Sequence, residues 1–166
     1  MGVESGIYKV LLVLHILSAI IGFGGVMLNG LYGAQAKKRK GTEGLAVLES
    51  TIGVSKVAQK FIYAVFVFGL LLIVTSDETW KFSQLWLSAS MGLYIVAVGI
   101  SHAVVAKNVG RMRDLMAEMA AGPPPAGGPP PQAAEMERRG KTVAAASMVL
   151  DVILVTILVL MVWKPL

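Results

Sequence analysis

The sequence predicts an all-α integral membrane protein, an up-down bundle of four transmembrane helices with both termini on the non-cytoplasmic side. Three observations predict it. The 166 residues are 55% hydrophobic and only 15% charged, with a mean hydropathy of +0.70. A soluble domain of that composition has too little polar surface to cover itself. Four apolar stretches, residues 8–32, 57–76, 85–106 and 142–163, each approach the ~20 residues that cross a hydrocarbon core of ~30 Å. Finally, twelve of the fifteen basic residues lie between spans one and two, counting Lys60 just inside the second span, or between spans three and four. The positive-inside rule places both of those loops in the cytoplasm.

The first span holds no formal charge from Val10 to Leu28 apart from His15 when protonated. Ala34-Gln35-Ala36 resembles a signal cleavage site, but the apolar run is long and basic residues follow it, so a retained helix is expected. In the second span Lys60 sits where its stem can snorkel. Tyr8, Tyr32, Trp80, Trp86 and Trp163 fall near span ends, where amphipathic rings favour the interface.

The two basic loops differ in kind. Leu45, Leu48 and Ile52 give residues 41–55 an apolar rhythm, which predicts a short surface helix. Val109, Met112, Met116 and Met119 predict that residues 107–121 continue the third helix beyond the membrane. Residues 122–131, GPPPAGGPPP, cannot be helical and read as a Pro/Gly-rich cytoplasmic linker.

Several function classes are excluded. The absence of cysteine rules out disulfides, thiolate metal sites, iron–sulfur clusters and c-type haem attachment. The nine methionines are scattered without ligand spacing, so no metal site is expected. The net charge of +5 comes from residues flanking apolar spans, which suits anionic lipid headgroups and not nucleic acid.

In the first span His15, Ser18, Gly22, Gly25, Asn29 and Gly33 recur at three- and four-residue spacing and share one helical face. Ser88, Gly92, Gly99, Ala103 and Ala106 make a similar stripe in the third span, with His102 beside it, and Ala144, Ser147 and Asp151 share a face of the fourth. Small residues let membrane helices approach closely, so these are expected helix-packing faces, either within the chain or against a partner.

Three ionisable groups lie inside the spans. At ~1.5 Å per residue, Asp151 falls near the midplane, His15 about 8 Å toward the outside and His102 about 9 Å toward the cytoplasm. An aspartate at mid-helix costs roughly 2.5–3.5 kcal/mol to insert, so Asp151 is expected to face the bundle interior and bond a polar group on the first or third helix. In an up-down bundle the fourth helix neighbours both.

The stretch Leu14–Gly25, LHILSAIIGFGG, resembles the first helix of small bacterial membrane proteins related to copper-resistance protein D, and that of the haem-containing HemJ-type protoporphyrinogen oxidase. The whole chain also resembles a family of four-helix membrane proteins with no assigned function. The first resemblance implies that His15 ligates haem. Gly22 stands where the oxidase helix has Trp, and Asn29-Gly30 stand near its Pro-Arg, so the oxidase activity is not carried over. His15 and His102 differ in depth by roughly 17 Å, too far to ligate one haem within a protomer.

With so few chemical groups, the leading expectation is a non-catalytic multi-pass protein of the cell membrane, in a bacterium the inner membrane. It would act by helix association, as a homo-oligomer or as an accessory subunit of a larger complex. A haem-binding or redox role through His15 is the second expectation. A proton or ion path through His15, Asp151 and His102 is the third.

Overall fold

In the computed structural model, residues 2–39, 41–122 and 131–165 are described. They form α1 (Gly6–Met27), α2 (Asn29–Lys38), α3 (Gly41–Thr75), α4 (Leu85–Ile100), a π-helical segment (Ser101–Ala106), α5 (Lys107–Ala121) and α6 (Pro131–Trp163). Ser5 caps α1, its hydroxyl accepting from the Tyr8 N–H at 3.2 Å. The helices join into four continuous rods of 33, 35, 37 and 32 residues, each long and apolar enough to span a membrane. Pro131 opens α6, where its missing N–H costs nothing. Gly122 caps the end of α5, and residues 123–130 of the expected linker lie outside the described residues.

Rods of that length reach ~48–55 Å, well beyond a ~30 Å apolar core. The excess lies at the basic end. Residues 41–55 are therefore not a separate surface helix: they are the first half of α3, which runs unbroken to Thr75. No proline interrupts 41–75, and the Leu45–Leu48–Ile52 face stays in phase with the span. Outside the membrane the rods close on a small core of Ala36, Leu48 and Leu115. Gly44 permits this closure, because a Cβ there would sit 2.5 Å from the Arg39 carbonyl oxygen and 2.8 Å from that of Ala36.

Within the span region the tightest contact is α1 on α3. A Cβ added at Gly25 would lie 2.8 Å from the Ala58 Cβ, and one at Gly22 would lie 2.9 Å from the Ile62 backbone nitrogen. Ser18 and Gly22 are buried there. Asn29 Nδ2 donates to the Ser55 hydroxyl at 3.0 Å. Five residues of the first-span stripe thus face α3. Gly33 does not, and nothing lies within 4 Å of where its side chain would be.

The α3–α4 junction is made by large side chains. Phe66 and Tyr94 stack with centroids 5.0 Å apart, and the Tyr94 hydroxyl donates to the Ile62 carbonyl at 3.2 Å. On the other side α6 packs along α4, the π segment and α5, and does not pack along α1. The spatial order follows the chain order, and the bundle is open between its first and fourth rods.

An aromatic cluster closes the end opposite the basic loops. Trp80 Nε1 donates to the Tyr8 hydroxyl at 2.8 Å, and Trp86 meets Trp80 edge-on at 5.5 Å. The Lys164 ammonium stands 4.1 Å from the Trp80 ring centroid. These rings, expected as interface markers, also tie the first rod to the loop between the second and third.

The basic asymmetry fixes an expected labelling pattern in this cysteine-free chain. Single cysteines at Ser5 and Ser83 should react with an impermeant thiol reagent outside intact cells. Those at Gly41 and Gly127 should react only after permeabilisation, and the reverse pattern would invert the orientation.

Candidate functional site

His102 is the second residue of the π segment, a widened turn of the kind often found where a helix carries function. Its Nδ1 lies 2.9 Å from the Val98 carbonyl. A carbonyl only accepts, so Nδ1 carries a proton and donates to it. Nε2 is approached by Gln59 Nε2 at 2.7 Å and by the Tyr63 hydroxyl at 2.8 Å. The single lone pair that Nε2 keeps in this tautomer is shared between these two donors. Sequence reasoning found His102 but missed Gln59 and Tyr63, and the only signal for Gln59 was an amide beside Lys60 at the start of an apolar span.

His15 sits at the α1–α3 contact. Its Nδ1 lies 2.9 Å from the Val65 carbonyl, to which it donates. Gly69 makes room for the ring, since a Cβ there would come within 3.3 Å of the imidazole Cε1. Anchoring Nδ1 in this way leaves the Nε2 lone pair as the ring's ligand atom.

Asp151 departs from expectation. It is exposed on α6, and among the described residues it has no hydrogen-bond or ion-pair partner. Ala144 is exposed and Ser147 half-covered on the same side, while α6 meets α4 through the opposite face around Ala146. The three residues do share a face, but it points away from the bundle. The cause is the open architecture: α6 has α4 and α5 on one side only. His15, His102 and Asp151 are accordingly not brought together, each histidine being bonded to α3.

Gly92 and Gly99 are not covered from within the chain, which leaves the partner alternative of their expected packing face. Both are exposed, with nothing within 4 Å of either side-chain position. Ser88, Ala103 and Ala106 are exposed with them, so the stripe of the third rod is an uncovered face.

Beyond the membrane, α5 and α6 are clamped by Arg139. Its Nε and Nη2 donate to one Glu135 oxygen at 2.9 and 2.7 Å, and its Nη1 donates to Asn108 Oδ1 at 2.9 Å. The hydrogen bond from Arg139 holds the Glu135 carboxyl below the usual carboxylate range, helped by the charges of Arg139, Arg111 and Arg138 and opposed by partial burial. A carboxyl depressed in the fold stabilises above its unfolded value, and that contribution is lost as pH falls through the lowered one. The wild-type Tm should therefore drop more steeply than that of Glu135→Gln below about pH 4.3. Parallel curves would show that the clamp contributes nothing.

Four apolar helical rods with most of their basic residues gathered at one end define an integral membrane protein. The chain belongs to the family described as "Predicted integral membrane protein (DUF2269)", whose model matches residues 9–165. That description names no activity, cofactor or partner. No curated protein and no solved structure matches the chain.

Proposed function

We propose that the protein works by helix association within the membrane, as a non-catalytic subunit of a larger assembly. The observation that carries this reading is Asp151, a carboxyl at mid-span that points out of the molecule with no partner among the described residues. Left toward lipid it costs roughly 2.5–3.5 kcal/mol, a cost that a polar neighbour from outside would offset. The open Gly92–Gly99 face supports the same reading, because a bare backbone face is where another helix approaches most closely. A benzophenone placed at Gly99 or at Val152 in native membranes should yield a protein adduct at one position or both. Adducts with lipid alone would defeat the proposal.

A second reading, haem binding, is favoured by His15, whose Nε2 has no hydrogen-bond partner among the described residues. The chain supplies one axial donor in that case, since both nitrogens of His102 are engaged. We expect no strong Soret band from the purified protein. A band lost in His15→Ala and kept in His102→Ala would move haem binding ahead of association. An ion path is not favoured, because among the described residues no hydrogen bond links the two histidines to Asp151.

A further inference from the structure

Which partner would meet the exposed face of α6 can be argued from its residues, given the association reading on which the argument rests. Ala144, Met148, Asp151, Val155, Leu158 and Val162 are all exposed. Met148 is 68% and Val155 58% accessible, on either side of the carboxyl. Their spacing alternates four and three, the repeat along which two helices wind around one another. A single polar residue in such a seam sets register and partner number at some cost in stability.

We infer that this seam is the contact between two copies of the chain, with Asp151 facing its own counterpart. Orientation supplies the main argument. The basic asymmetry gives every copy the same direction of insertion, so two copies related by a two-fold axis along the membrane normal are parallel. Each α6 residue then meets its counterpart at equal depth. No shift of register is needed to match the one polar group in the seam with another.

The chemistry also closes. Two carboxyls across an axis satisfy each other when one retains a proton and donates to the other, the way facing acids share a site. No cation is required: among the described residues none is bonded to Asp151, and His15 is held on α3 through Nδ1, about 8 Å from the midplane. Lys60 of α3 lies toward the basic end, and both nitrogens of His102 are bonded to α3 and to its own helix. Closed two-fold pairs are also the commonest assemblies of identical chains.

The test uses the full chain in isolated membranes, with single cysteines at Met148, Val155 and Ile153 in otherwise cysteine-free protein. Ile153 is a control on the α4-facing side. Oxidation should give disulfide dimers at Met148 and Val155 but not at Ile153. Asp151→Leu, which suits lipid and does not threaten insertion, should lower the association constant roughly three- to twenty-fold, the range measured for hydrogen bonds between membrane helices. Asp151→Asn, which can both donate and accept, should keep it. Asp151→Lys should abolish self-pairing yet co-purify with differently tagged wild-type chain, because lysine then faces aspartate. Dimers that form equally at Ile153, or that ignore Asp151→Leu, would overturn the inference. An adduct of Met148→Cys with another membrane protein, in place of itself, would overturn self-pairing and leave the association reading standing. No adduct from Met148, Val155 or Gly99 positions would remove both.

Discussion

Gly22→Leu is expected to unseat α1 from α3. Even a methyl at this position would stand 2.9 Å from the Ile62 backbone nitrogen and from its Cγ1. The side-chain atom can turn away, but the backbone nitrogen is fixed by the helix. Overpacking a tight contact costs about 1–3 kcal/mol, and leucine adds three carbons to the methyl. Gly24→Leu is the matched control: nothing lies within 4 Å of that position. A reporter disulfide between cysteines at Asn29 and Ser55, whose side chains now bond at 3.0 Å, should form with Gly24→Leu and fail with Gly22→Leu. The thermal midpoint in detergent should fall only for the second. Equal behaviour of the two variants would mean that close approach at Gly22 does not hold the first rod in place.

The contrast between Gly22 and Gly99 shows what hydropathy records and what it does not. Span number and span type were legible because a bilayer demands long apolar helices, and residues 8–32 or 142–163 can be little else. The face that α1 turns to α3 was legible too, from His15, Ser18, Gly22, Gly25 and Asn29. Yet the same kind of stripe in the third rod, Ser88, Gly92 and Gly99, lies open. The reason is physical. In water a helix turns its apolar side inward, so sequence and burial correlate, but in lipid both sides are apolar and the correlation is lost. Small residues then mark a face able to pack without saying which neighbour packs there. Asp151 was misplaced for a related reason, since its cost demands a partner but not a partner from its own chain. The π segment at His102 is a backbone event without a signature residue, and Gln59 and Tyr63 meet His102 only through the fold.

Outside the membrane the correlation between pattern and burial returns, and Leu115 supplies the strongest test of it. The rhythm of Val109, Met112, Met116 and Met119 predicted one apolar face on this segment. The structure confirms an inward face, with Met112 and Met116 half-buried, but its centre is Leu115, only 1% exposed. There α5 packs against α3 and α6, and the Met116 methyl reaches the space above Gly44. Since these side chains leave water when they pack, the hydrophobic effect acts on them in full, unlike on residues that exchange lipid for protein. Leu115→Ala should therefore cost about 2–5 kcal/mol, more than any single interhelical hydrogen bond in the spans. Hydrogen exchange should show the loss locally, in residues 107–121 and 41–55, with the apolar halves of α3 and α6 still protected. Arg113→Ala, at an exposed position on the same helix, should change little. Loss of protection across all four spans would mean that extension and bundle unfold as one unit. No loss anywhere would mean that Leu115 is not the keystone of the extension, and that the lipid-embedded contacts alone hold the rods together.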